Sequence, residues 1–440
     1  MRVRNEACAV FLPLEVVTRE YAGKLLLALE LANKGFQVII GHKEPVKKLA
    51  VKALQPGVFF FKAVARENDS FFKTIRERGF VTVVQDEEAG IIYDDFAAFY
   101  EERRSLKRFG DHDAFFCWGP EDFNYLRSKH PESAAKLFMT GSPRSFLWGA
   151  AKSRLFYSEN VEKFRRRHGS YILIASNLAG VSGARSEEEE IAWYQRTGYP
   201  AAAIAKLKQS MEGYRRLSDA YARLSREIHR TLGLNVVIRP HPSENSGWWK
   251  QKIMGMAGVY VETEGDLGSW IHGAEAVVQN GCTSAIESRM AGIPVFSFAE
   301  CEEDIFSQSG TFANRVAKQA IGINALIELL ANRREVWDCF LAETPDSVLE
   351  RKIATPPQGA PRAIADVISS LATPLHIGHG IGHQGVDNFK KSSSVYLKNK
   401  RRPIVYEDVK FDVERASAAL AITNQFYVEQ CANNCFTITR

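Results

Sequence analysis

The sequence predicts an α/β protein of two doubly wound parallel sheets facing a central cleft, followed by a tail. Three observations carry that expectation. Short apolar runs bounded by turn residues alternate with helical periodicity from residue 7 to residue 140. The alternation restarts at residue 171. The chain has 440 residues, 45% hydrophobic and 25% charged, enough to bury two ordinary cores.

In the first unit, residues 7–14 form an apolar strand, 18–34 a helix, and 36–41 and 58–61 two further strands. Asn68-Asp69-Ser70 cap a helix that runs toward Gly79, and 80–85 is a buried strand. Strands at 114–117 and 136–140 complete the unit, with Pro120-Glu121 opening the helix between them. The second unit begins with the strand 171–175 and continues through strands near 236, 258, 276 and 294 to about residue 372. Between its first two strands lies a long helical insertion, 186–232, whose acidic cluster at 187–190 suits a helix N-terminus. The expected domains are therefore 1–165, 166–372 and a tail over 373–440. That tail carries His376, His379 and His383 in a Gly-rich stretch, then a basic segment over 390–402, and an amphipathic helix over 407–431.

In an open α/β sheet, ligands bind outside the carboxyl ends of the strands. Two segments end there with phosphate-binding chemistry. Arg239-Pro240-His241-Pro242 follows the strand 235–238, and Asn280-Gly281-Cys282-Thr283-Ser284-Ala285-Ile286-Glu287 follows the strand 275–279 and opens a helix. Free N–H groups at a helix start, the Thr283 and Ser284 hydroxyls, and a cation from Arg239 or His241 suit an anionic leaving group. Glu287, four residues after Thr283 on the same helix face, suits a ribose hydroxyl. The alternative is structural: Thr283 caps its helix and His241-Pro242 turns the chain.

A His-Pro pair after one strand, then a Ser/Thr pair opening a helix two strands later, resembles the nucleotide half of GT-B glycosyltransferases that use CMP-activated ulosonic acids, such as Kdo and sialyl transferases. CDP-glycerol glycerophosphotransferases show a similar arrangement. Pro13-Leu14-Glu15, Arg19-Glu20, Lys24-Leu25-Leu26-Leu27-Ala28, Asp86-Glu87-Glu88-Ala89-Gly90, Gly141-Ser142-Pro143-Arg144 and Pro294-Val295-Phe296-Ser297-Phe298 resemble bacterial surface-carbohydrate biosynthesis proteins, over roughly residues 8 to 300. The pattern departs from that family at Ser142 and Ala89. The resemblance implies a GT-B architecture of two Rossmann-like domains. It also implies a CMP-linked donor, a glycan or lipid-linked glycan acceptor, and a C-terminal helix crossing back onto the first domain.

Glycosyl transfer needs a carboxylate, either to deprotonate the acceptor hydroxyl or to attack the anomeric carbon. Asp86, Glu87 and Glu88 follow the strand 80–84 and are the first candidates, with Arg19 and Lys24 to answer their charge. Glu20 is the second, in the loop after the first strand, where the Kdo-transferase resemblance would put a general base; Glu20 and Arg19 equally suit an exposed helical turn. Glu15, Arg19, Lys24, Arg144 and Asn177 are the expected substrate contacts.

A net charge of +5 with Lys and Arg spread along the chain excludes nucleic acid as the first partner to expect. The basic segment 390–402 is either a peripheral inner-membrane contact or a solvated loop. No run approaches the ~20 apolar residues of a membrane span, and Met1-Arg2-Val3-Arg4-Asn5 leads into a strand rather than a signal sequence, so a cytoplasmic location is expected. Seven scattered cysteines fit a reducing compartment. Neither Cys431/Cys435 nor the tail histidines have metal-site spacing, and no metal or other cofactor is expected. The expected function is transfer of Kdo or a related ulosonic acid from CMP to a surface polysaccharide. A CDP-glycerol-type phosphotransferase is the alternative, followed by a UDP-sugar epimerase or a non-catalytic assembly scaffold.

Overall fold

The structure, a computed structural model, describes residues 9–64, 69–88, 90–94, 97, 100, 110–183, 185–196, 198, 201–302, 311–372 and 402–440. Six parallel strands form the core of the first sheet: β1 (Ala9–Leu14), β2 (Gln37–His42), β3 (Val58–Phe61), β4 (Val81–Val84), β5 (Ala114–Cys117) and β6 (Leu137–Met139). They lie in the order β2-β1-β3-β4-β5-β6. The second sheet is wholly parallel and holds β7 (Tyr171–Ala175), β8 (Asn235–Arg239), β9 (Val259–Val261), β10 (Ala276–Gln279), β11 (Val295–Ala299) and β12 (Lys318–Ile321). Its order, β12-β11-β10-β7-β8-β9, is the doubly wound order with the direction of winding reversed between β7 and β10. The expected strands are present; β12 adds an edge that the sequence reading did not resolve.

The first helix, Val17–Asn33, explains why the end of the chain returns to the first domain. Every residue from Gly23 to Ala32 is buried, so the helix is covered all round rather than along one stripe. Its apolar run, Leu25-Leu26-Leu27-Ala28-Leu29, shares one core with Ile364 and Ile368 of the helix Ala360–Leu371 and with Val409 and Val413 of the helix Tyr406–Leu420. The helix expected over 407–431 is corrected here: it ends at Leu420, where Ala421 takes a left-handed conformation. The chain then forms the hairpin β13 (Tyr427–Ala432) and β14 (Cys435–Thr439). β14 pairs antiparallel with β2, Phe436 opposite Ile40, so the last residues are strands of the first sheet. No residue of β13 is buried, so the strand carries no hydrophobic alternation to mark it in the sequence. The tail histidines and residues 390–401 of the basic segment lie outside the described residues.

Between the two units, the helix Ala150–His168 runs unbroken through the expected boundary at 165/166 and packs on both the helix Leu267–Gly273 and the helix Tyr406–Leu420. The insertion at 186–232 comprises the helices Glu187–Arg196 and Ala201–Leu232. No helix among the described residues is long and apolar enough to cross a membrane.

Gly23 sets how closely the first helix meets the turn after β6. A Cβ there would lie 2.9 Å from the backbone nitrogen of Arg144 and 3.0 Å from the carbonyl carbon of Pro143. Mid-helix Gly→Ala ordinarily stabilises by about 1 kcal/mol. Here backbone meets backbone, and Gly23→Ala is expected to destabilise by about 2 kcal/mol, measured by urea denaturation.

Candidate functional site

The carboxyl ends of both sheets open on one cavity of about 280 Å³. From the first domain it is lined by Thr18 and Arg19 after β1, Glu87 and Glu88 after β4, and Arg144 and Trp148 after β6. From the second come Ser176 and Asn177 after β7, Arg239 and His241 after β8, Asp266 and Gly268 after β9, and Thr283 and Glu287 after β10. The β7/β10 contact, where the winding reverses, thus supplies two of these segments.

On the first-domain wall, one buried lysine organises the acids. Lys24 Nζ donates to the Pro13 carbonyl (2.8 Å) and pairs with Glu87 (3.0 Å) and Glu20 (3.6 Å). Glu20 is fully buried, and its carboxylate accepts the backbone N–H groups of Glu15 (2.9 Å) and Val16 (3.2 Å). Burial works to raise the Glu20 carboxyl, but the charges of Lys24 and Lys62, with the Glu15 N–H and Arg19, outweigh it and hold the value below the ordinary one. Glu20 and Lys24 do not line the cavity; they fix the β1 loop and aim Glu87. Glu15 does not line it either. It pairs with Lys62 (2.8 Å) and Lys43 (3.3 Å), which overcome its burial and bring its pKa to about 2.

Asp86 is likewise turned out of the site. One carboxylate oxygen accepts the Glu88 N–H (3.0 Å) and its carbonyl accepts Trp118 Nε1–H (2.7 Å), which shapes the loop that presents Glu87 and Glu88. Glu88 faces Arg19 at 3.4 Å. Arg144 donates to the Glu87 carbonyl (2.7 Å) and lies over the rings of Trp118 and Trp148. Burial first, and then the neighbouring Arg19, pull the Arg144 pKa down.

On the second-domain wall, Arg239 spends two donors on backbone carbonyls, Nη1 on Glu264 (2.7 Å) and Nη2 on Gly265 (2.5 Å), and lies over Trp270. Its pKa falls to about 10, mainly through burial. Arg239 therefore shapes the loop leading to Asp266 as well as lining the cavity. His241 Nδ1 accepts the Ser243 N–H (3.2 Å), which leaves the proton of a neutral ring on Nε2.

After β10, Gly281 turns the chain at φ +62° and the helix Ser284–Met290 follows. Four-residue spacing puts Thr283 and Glu287 on the cavity face, while Ser284, Ala285 and Ile286 turn inward. Ser284, expected as an anion ligand, is fully buried, and its Oγ has no hydrogen-bond partner among the described residues. Asn280, also expected there, gives Nδ2–H to the Phe298 carbonyl (2.9 Å) and ties β10 to β11. Glu287 is the cavity acid without a hydrogen bond or ion pair among the described residues, whereas Asp266 accepts the Ser269 N–H (2.9 Å). Burial raises the Glu287 carboxyl to about 7, against the pull of Arg144.

Of the expected residues, Arg19, Glu87, Glu88, Arg144, Asn177, Arg239, His241, Thr283 and Glu287 meet in the cavity. Asp86, Glu20, Glu15, Lys24, Asn280 and Ser284 do not. The reading missed Asp266, although Asp266 three residues before Ser269 is a helix-start signal, and the structure shows that cap. It also missed Trp148 and Tyr157, which carry no motif. Among the described residues no group of three or more His, Cys, Asp or Glu is placed to hold a metal ion.

No family model matches the sequence, and no curated protein is similar to it at the level of sequence. Solved structures are similar in fold. The wall teichoic acid polymerase TagF has a TM-score of 0.50 at 12% identity, over 84% of this chain and 89% of that one. A histidine-to-alanine form of TagF has a TM-score of 0.52 at 12% identity, over 83% and 89%. The Methanocaldococcus jannaschii UDP-GlcNAc 2-epimerase, in complex with UDP-GlcNAc and UDP, has a TM-score of 0.48 at 10% identity, over 83% and 99%. The chain has the GT-B-like fold, two Rossmann-like domains about a cleft.

Proposed function

We propose that this chain is a nucleotide-sugar-dependent transferase, and that its donor is a CMP-activated ulosonic acid such as CMP-Kdo. One observation carries the reading: a single cavity joins the Glu87/Glu88 pair of one domain to the His241, Thr283 and Glu287 set of the other. The second set suits a departing nucleotide, with Thr283 and His241 at its phosphate and Glu287 at its ribose. Glu87 takes the proton of the acceptor hydroxyl as its oxygen bonds to the anomeric carbon. The bond from that carbon to the phosphate oxygen breaks, and CMP leaves with the electron pair. The acceptor is a glycan or lipid-linked glycan of the cell surface.

His241 supports a second reading, transfer of glycerol phosphate from CDP-glycerol, since an imidazole with its proton on Nε2 suits a diphosphate. Both reactions release CMP, so the donor and the product must be read together. The test is calorimetric titration with CMP, CDP and UDP, then CMP release from CMP-Kdo and from CDP-glycerol with a glycan acceptor. CMP binding with turnover of CMP-Kdo supports the first reading. Turnover of CDP-glycerol, with phosphorus in the product, replaces it with the second. Failure of all three nucleotides to bind sinks both.

A further inference from the structure

The loop that carries Glu87 and Glu88 is anchored on the opposite domain. Ile91, 2% exposed, packs in the apolar core of the second domain with Phe312 and Trp270. The Ile92 carbonyl accepts the N–H of Phe312 (3.1 Å), in the helix Thr311–Arg315. The Tyr93 carbonyl accepts Lys352 Nζ–H (2.7 Å), and the Asp94 carboxylate pairs with Arg315 and, at 3.7 Å, with Arg351. A second strap runs beside it: Glu121 pairs with Arg351 (3.7 Å) and Lys352, and the Ala354 N–H donates to the Trp118 carbonyl (2.6 Å). Ile92 and Tyr93 themselves line the cavity.

We infer that Asp94 and Arg315 are positioning residues: they form an ion-pair clasp on one flank of the cleft through which the approach of the two domains sets the acid loop. The consequence for catalysis rests on the transferase reading above; the clasp itself does not. Asp94 and Arg315 lie 221 positions apart, Asp94 in the segment after β4 of the first domain and Arg315 at the end of a second-domain helix, and they pair with each other rather than with Glu87 or Glu88. Their side chains are 34% and 53% exposed, so salt screens the attraction. Opening the clasp removes the side-chain tie at the end of this segment and loosens the loop preceding it, while the Ile92 and Tyr93 carbonyl contacts remain.

The test uses the full chain and the variants Asp94→Asn, Arg315→Gln and the double variant. Hydrogen exchange of residues 86–94 is followed at about 50 mM and about 500 mM salt. Each single variant is expected to exchange about fivefold faster at low salt, the double variant no faster than Asp94→Asn, which also loses the Arg351 pair, and the wild type to approach them at high salt. Exchange that is unchanged in both single variants, additive in the double variant, or insensitive to salt overturns the clasp. Where CMP binds, kcat for CMP release is expected to fall about fivefold with donor KM little changed, because the loop carries the base and not the nucleotide contacts. Absence of nucleotide binding alongside the predicted exchange pattern removes the transferase reading and leaves the clasp standing.

Discussion

Glu87→Gln is expected to lower CMP release about 10³-fold while leaving CMP affinity within about twofold, because a positioned base contributes roughly 10²- to 10⁴-fold. The separation follows from where the groups stand. Glu87 belongs to the first domain and is held by Lys24 at 3.0 Å, whereas His241, Thr283 and Glu287, the groups proposed to bind the nucleotide, belong to the second. Glutamine keeps the shape and offers Lys24 a carbonyl oxygen, so the fold of the loop is retained while basicity is lost. Glu88→Gln should cost much less, about tenfold, since Glu88 is 37% exposed and answers Arg19 at 3.4 Å. Steady-state CMP release and calorimetric titration on both variants check this. Full turnover in Glu87→Gln removes it as base, and an equal loss in both variants would mean that the pair acts as one unit.

How much of this was legible in the sequence differs by level. Strand ends were legible because a parallel sheet buried on both faces demands near-continuous apolar runs, and 171–175, 235–239 and 276–279 supply them. Helix-face periodicity paired Thr283 with Glu287 correctly in the cavity. What it did not reveal was the direction of side chains in loops. Asp86, Glu87 and Glu88 are adjacent and chemically alike, yet one bonds its own loop and two face the cleft. That choice is set by Trp118 and Lys24, which arrive from other elements.

Glu20 carries the same lesson more sharply. A carboxylate after β1 suggested a base, but two N–H groups and Lys24 already claim it. The hairpin β13–β14 was missed for a different reason: its partner strand is β2, almost 400 residues earlier, and β13 is too exposed to announce itself through hydrophobic alternation. Contacts of that sequence separation have no local signature.

Glu287→Gln is expected to be more stable than the wild type at pH 8, by an amount approaching 3 kcal/mol, with the difference vanishing below about pH 4.5. The sign follows from the carboxyl being raised from 4.5 to about 7 by burial in the folded chain. A group raised on folding contributes stability that is complete below its unfolded value and is lost as pH rises through its folded value. Between those limits the unfolded chain ionises freely while the folded chain resists. Glutamine has no such cost. Thermal or urea unfolding of both proteins across pH 4 to 9 measures the gap directly, and parallel profiles would show that Glu287 titrates normally. Under the proposed function, in which the ribose lies at Glu287, a nucleotide would reverse the balance: ribose hydroxyls donating to Glu287 would favour its ionised form and lower its pKa. CMP should therefore bind more tightly at pH 8 than at pH 6 and release protons near pH 7. Repeating the titration in buffers of different ionisation enthalpy counts those protons. Replacing CMP by its 2′-deoxy form should weaken binding and reduce the release, and an unchanged release would remove Glu287 as the ribose contact.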